Sequence, residues 1–137
     1  MMEKLQQSEV PIAGVWLQDW VGFSHVIEGA RLQWNWNLDP SHYPEWSKMV
    51  QSWSQKDIRV LTYVNPFFSP RKETKKFDKS KSQLQEGRPD YFKEGIQNGY
   101  FVKNKKGEAY LLKSGSLPFC MVDFTNPDAS KIAFVYK

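Results

Sequence analysis

The stretch "GVWLQDWVG", residues 14–22, decides how the chain is read. It opens as a short apolar run behind Pro11, the pattern of a strand. It then sets a polar pair, Gln18 and Asp19, between Trp16 and Trp20. A core strand has no use for the polar pair, and a solvated loop would not tolerate the tryptophans. Polar groups framed by aromatic surface at the end of a strand fit the wall of a binding site, because α/β proteins gather their sites beyond the strand ends.

Reading outward, the next twenty residues show no clean period and run through Gly22 and Gly29 to the dense "RLQWNWNLDP", residues 31–40. They are expected to form a long loop, ordered because of its Trp and Leu content. "SHYPEWSKMVQSWSQKD", residues 41–57, is helical: Trp46, Met49, Val50 and Trp53 form one apolar stripe, with Ser41 as cap and Pro44 in the first turn. That stripe reads as core packing. "IRVLTYVNPFF", 58–68, is a second strand cut by Pro66. "PDYFKEGIQNG", 89–99, predicts a short helix with Asp90 near its start and Gly99 at its stop. "YFVKNKKGEAYLL", 100–112, predicts a hairpin turning at "NKKG". "PFCMVDF" is a further strand, and "TNPDASKIAFVYK" starts a helix with Thr125 or Asn126 as cap and Pro127 in its first turn.

Strands alternating with helices predict an α/β protein built from parallel units. The polar and aromatic residues again cluster after each strand, at Gln18–Trp20, Asn65–Phe67 and Asp123–Asn126. A closed eight-stranded barrel typically takes about 250 residues. A chain of 137 residues is therefore either a small open sheet or a piece of a barrel.

Composition narrows the partners. Hydrophobic residues make up 40%, which excludes a disordered chain. The net charge of +4 invites a nucleic-acid reading, but Arg71, Lys72, Lys75, Lys76, Lys79 and Lys81 outnumber Glu73 and Asp78 by that whole excess. One basic run reads as a solvated insertion rather than a phosphate track, so no nucleic-acid partner is expected. The single Cys120 cannot form a disulfide within the chain, which fits a reducing compartment. The N-terminal residues lack a signal-like apolar core and no segment reaches transmembrane length, so no membrane partner is expected and a cytoplasmic location is the default. His25 and His42 read as loop residues. No metal-ligand spacing, phosphate loop or nucleophile elbow appears, so neither metal nor cofactor is expected.

Four runs taken together, "GVWLQDWVG", "RLQWNWNLDPSHYPEW", "IRVLTYVNPFF" and "MVDFTNPDA", resemble glycoside hydrolase family 31, the retaining α-glycosidases. Within it they resemble most the sulfoquinovosidase branch, which cleaves α-glycosides of 6-deoxy-6-sulfoglucose. The likeness runs from about residue 12 to 130 and weakens across 71–90. It implies a partial (β/α)8 TIM barrel, roughly strands three to five with their helices. Residues 1–11 would be an N-terminal extension, and 12–137 a partial catalytic barrel with a basic insertion at about 70–90.

The resemblance also implies site residues. Many α-glucosidases of the family carry an Asp two residues after the strand Trp, where this chain has Gln18. The sulfoquinovosidase branch has a Gln there, an Arg thirteen residues on and a Trp three further, and Gln18, Arg31 and Trp34 match that spacing. The chemistry is sensible in itself. A sulfonate is a permanent monoanion, Arg offers a charged fork, and Gln and Trp add neutral N–H donors. An Asp at position 18 would repel it. The plain alternative is an ordinary salt bridge at Arg31 and loop packing at Gln18 and Trp34. Asp19, Trp20 and Asn65 are weaker candidates for the site wall, although Asn before Pro is also a common turn. Asp123 either lines the site or braces its neighbouring loop.

Retaining glycosidases use two carboxyl groups roughly 5–5.5 Å apart. The resemblance implies two aspartates, both after the matched region, so no catalytic residue is assigned here. The chain alone is expected to be inactive and to need the remainder of the barrel to fold, since half a barrel leaves strand edges unpaired. The expected function is thus a fragment of a retaining α-glycosidase acting on α-sulfoquinovosides. The alternatives are an α-glucosidase-like hydrolase of the same family and a non-catalytic carbohydrate-binding pseudoenzyme fragment.

Overall fold

The computed structural model describes residues 10–70 and 88–133. The basic run at 71–81, most of the N-terminal extension and the tail beyond 133 lie outside these residues. The elements are β1 (Gly14–Leu17), β2 (Phe23–Val26), β3 (Gly29–Leu32), α1 (Trp46–Ser54), β4 (Arg59–Thr62), β5 (Phe67–Phe68), α2 (Tyr91–Asn98), β6 (Leu112–Ser114), β7 (Leu117–Met121), a 3-10 turn (Pro127–Ala129) and α3 (Ser130–Ala133).

The first unit is the parallel one that the alternation predicts. Strand β1 pairs with β4 in parallel, Gly14 opposite Arg59 through Leu17 opposite Thr62, and α1 makes the crossover. The stripe Trp46, Met49, Val50 and Trp53 is the less exposed side of α1, yet none of the four is fully buried. The helix starts later than its sequence suggests. Its N-cap is Glu45, with no side-chain cap bond, whereas Ser41 turns back to Asp39, its Oγ donating to Oδ1 at 2.6 Å. Pro44 disfavours helical geometry in the residue before it, so Tyr43 and its predecessors stay in turns.

The remaining strands depart from the predicted parallel order. Residues 23–32, expected as loop, form an antiparallel hairpin from Phe23 opposite Leu32 to Val26 opposite Gly29. Four-residue strands are too short to show a period, which is why the pattern is hidden in the sequence. Among the described residues strand β7 has no parallel partner. It is the centre of an antiparallel sheet ordered β5-β7-β6. Pro66 does interrupt the second predicted strand, so β4 and β5 belong to different sheets. The Asn65 side chain bridges the break, its Oδ1 accepting from Phe67 N at 2.8 Å.

Local signals elsewhere hold. Asp90 caps α2 by accepting from Lys93 N, and Gly99 ends it in the left-handed region. Asn104 carries the "NKKG" turn: its Oδ1 accepts from Lys106 N at 2.8 Å and Glu108 N at 3.1 Å, beneath a Lys103–Ala109 bridge. Asn126, not Thr125, caps the 3-10 turn, accepting from Asp128 N.

The core lies around the antiparallel sheet, where Phe68, Phe101, Cys120, Val122 and Ile132 are buried together with Val21 and Trp36. The loop after β3 is tied to it by the Trp36 indole, which donates to Phe67 O at 2.7 Å. The Arg88 guanidinium donates to Leu38 O, and Asn37 Nδ2 donates to Pro89 O at 3.1 Å, so the loop is held from the other side too. Among the described residues no helix is long and apolar enough to cross a membrane.

Candidate functional site

The chain turns sharply after β1. Gly22 N donates to Asp19 O at 2.9 Å, and Gly22 takes a φ of 75°. A Cβ at Gly22 would stand 2.3 Å from Asp39 Oδ2, so both space and backbone demand glycine. The turn leaves Gln18 and Asp19 at the end of the strand and sends the chain into the β2–β3 hairpin. Gln33 N then donates back to Gly22 O at 3.1 Å, which closes the hairpin beneath the turn.

A cavity of about 520 Å³ opens between this turn and the β6–β7 hairpin. That size lies within the range of small-molecule sites. Gln18, Asp19, Arg31 and Trp34 line it from one side, and Ser114 and Leu117 from the other. The three residues matched by spacing therefore share one cavity. Gln18 and Arg31 are exposed, and Arg31 makes no salt bridge among the described residues.

Trp34 is half-buried and stacked edge-on against Phe119 and Phe67, with ring centroids 5.0 and 5.2 Å away. Its Nε1 is buried and has no hydrogen-bond partner among the described residues. A buried donor left unmade costs about 1–3 kcal/mol, so such a group usually marks a place that another acceptor fills. The Arg31 guanidinium and the Gln18 carboxamide on one cavity, with the unpartnered Trp34 N–H buried in its wall, are the donor types suited to the oxygens of an anion.

Asp19 is the one carboxylate on the described lining. It is not free: Tyr43 OH donates to Oδ1 at 2.6 Å, and His42 Nε2 lies 2.7 Å from Oδ2. Burial works to raise its pKa, but the hydrogen bonds from Tyr43 and His42 outweigh burial and hold the carboxyl below its ordinary value. Burial, then the bond to Asp19, pushes the Tyr43 phenol well above its own ordinary value, so it remains a donor. His42 thus belongs to the cavity wall through Asp19, a role its loop position did not reveal.

Trp20 and Asn65 stand apart from the lining. The Trp20 indole donates to Tyr63 O at 2.7 Å and its ring lies against Trp36. Asn65 Nδ2 donates to Tyr63 OH at 2.7 Å while its Oδ1 holds the Pro66 turn. Asp123 braces its own loop, Oδ1 accepting from Thr125 Oγ1 at 2.6 Å and from Thr125 N at 3.0 Å. Ser114 and Leu117 carry no sequence signal of a site, because the fold brings them across from 80 residues away. Among the described residues no group of three or more His, Cys, Asp or Glu side chains could hold a metal ion.

The chain belongs to glycoside hydrolase family 31: the family's TIM-barrel domain model matches residues 1–135. Its relatives include the sulfoquinovosidase of Escherichia coli (strain K12), 29% identical over 93% of this chain, and that of Agrobacterium fabrum, 30% identical over 94%. A solved structure, a family 31 sulfoquinovosidase from E. rectale in complex with the aza-sugar inhibitor IFGSQ, superposes with a TM-score of 0.72 at 32% identity over 95% of the chain. The chain spans 16% and 17% of the two curated relatives and 17% of the solved one.

Proposed function

We propose that this chain is the part of a retaining α-glycosidase that recognises the sulfonate of an α-sulfoquinovoside. The observation that carries the reading is the shared cavity: Arg31 and Gln18 face it beside a Trp34 N–H with no partner among the described residues. A sulfonate has three acceptor oxygens and a fixed charge, so it can take one donor from each of these side chains. The relatives named above, sulfoquinovosidases from three bacteria, support the same substrate class.

The proposed organisation is a partial barrel, roughly strands three to five, over residues 12–137, with 1–11 as an extension and the basic run as a solvated insertion. The catalytic pair is proposed to come from outside these residues. Hydrolysis with retention needs a nucleophile and an acid/base, and Asp19, the carboxylate on the described lining, already serves His42 and Tyr43. In the proposed mechanism this segment binds and orients the sulfonated sugar, while the reacting carboxylates approach from the remainder of the barrel.

The test compares Arg31→Ala with wild type in the complete polypeptide that the transcript encodes. Hydrolysis of an α-sulfoquinovoside should fall on the order of ten- to hundredfold, the scale of a lost charged hydrogen bond, while a neutral α-glucoside is turned over as before. Equal loss on both substrates would remove the sulfonate assignment and favour an ordinary α-glucosidase.

A further inference from the structure

Two hairpin tips meet beside the cavity. The β2–β3 connection is Ile27–Glu28 and the β6–β7 connection is Gly115–Ser116. Ser116 Oγ donates to Glu28 Oε2 at 2.7 Å, joining residues 88 positions apart. Gly115, at φ +59°, allows the approach, since a Cβ there would already stand 3.2 Å from the Glu28 carboxylate. The contact ties the strand that carries Arg31 to the hairpin that carries Ser114 and Leu117, so it spans both walls of the cavity.

Glu28 also lies three residues before Arg31 on the same hairpin. The guanidinium is near enough to help lower the pKa of this exposed carboxylate, so Glu28 is a competitor for it. Yet Arg31 makes no salt bridge among the described residues. The Ser116 hydroxyl is the largest influence holding the Glu28 carboxyl below its ordinary value, and Arg31 the smallest. The carboxylate is engaged chiefly across the gap between the tips, by the Ser116 hydroxyl, with the Glu28 backbone of its own hairpin and then the Ser116 backbone also holding it.

We propose that Ser116 is a positioning residue for anion binding: by engaging Glu28 across the hairpin tips, it keeps that carboxylate from neutralising Arg31 and leaves the guanidinium open to an anionic ligand. The inference rests on the reading of this cavity as a sulfonate site. It assigns selectivity to a residue that never touches the ligand. Removing Ser116 turns Glu28 into an internal competitor, and the loss falls on charged ligands alone.

Calorimetric titration of the complete encoded polypeptide with 6-deoxy-6-sulfoglucose and with glucose tests this. Ser116→Ala should weaken the sulfonated sugar roughly two- to fivefold, the scale of an exposed ion pair, and leave glucose unchanged. Adding Glu28→Gln to that variant should restore the affinity, which mere damage to the hairpin would not allow. Ser116→Thr, which keeps the hydroxyl, should behave as wild type. Glu28→Gln alone needs no change at Ser116 and should bind at least as tightly as wild type. Unchanged affinity in Ser116→Ala, failure of the rescue, or weaker binding by Glu28→Gln alone would each overturn the assignment of Ser116. Unchanged sulfonate affinity in Arg31→Ala would instead remove the cavity reading, and this inference with it.

Discussion

The Tyr43 hydroxyl donates a 2.6 Å hydrogen bond to the Asp19 carboxylate, across 24 positions of sequence. With His42 on the other oxygen, it fixes the orientation of the residue that follows Gln18. Asp19 is therefore a structural anion on the cavity wall, held charged by its neighbours.

Its contribution to stability depends on pH in a defined direction. The folded pKa of Asp19 is depressed, so the folded state binds its proton less readily than the unfolded chain, whose value is near 3.8. The stabilisation is complete above that value and is lost as pH falls through the lower folded value. Tyr43→Phe removes the stronger of the two opposing hydrogen bonds, which should bring the Asp19 pKa back toward 3.8. The variant should lose about 1 kcal/mol at neutral pH, and its difference from wild type should shrink on acidification. Melting curves from pH 7 to pH 3 measure this; a difference that grows toward low pH would refute it.

Trp34 separates packing from hydrogen bonding. Trp34→Phe keeps an aromatic ring against Phe67 and Phe119 but deletes the unpartnered N–H. Losing an unsatisfied buried donor offsets part of the lost packing, so stability should stay within about 1 kcal/mol of wild type. Affinity for 6-deoxy-6-sulfoglucose should fall about threefold to tenfold, the worth of one hydrogen bond. Calorimetry on the variant decides: unchanged affinity would mean that the indole N–H serves some other acceptor.

Gly95 is a close contact between α2 and the core. A Cβ on it would lie 2.3 Å from Phe101 Cζ, and Phe101 is only 1% exposed. Alanine is the better helix former, by about 1 kcal/mol, so helix propensity argues for stabilisation. The overlap argues the other way and wins, because a buried ring cannot retreat without opening the core. Gly95→Ala should destabilise by about 1–3 kcal/mol, read by denaturant unfolding of the complete polypeptide. A more stable variant would show that Phe101 has room that the packing denies.

Part of this was legible in the residues. Asp90 and Gly99 bracket α2, Asn126 with Pro127 starts the last turns, and Asn104 with Gly107 makes the hairpin turn. Each acts on backbone groups only a few positions away, so identity and spacing suffice. The spacing of Gln18, Arg31 and Trp34 was legible in the same way, as a resemblance, and the fold brings all three to one cavity.

The chain's own sequence determined where turns fall, which helix face is apolar and which donors recur at a family's spacing, because those depend on near neighbours. Only the tertiary structure decided that residues 23–32 pair as a hairpin, that β7 takes antiparallel partners, and that His42 reaches Asp19. It alone set Ser116 against Glu28 and opened the cavity between two hairpins. The reason is physical. Short strands and single hydrogen bonds carry too little local preference to declare themselves, and they form only once packing has brought distant segments within reach.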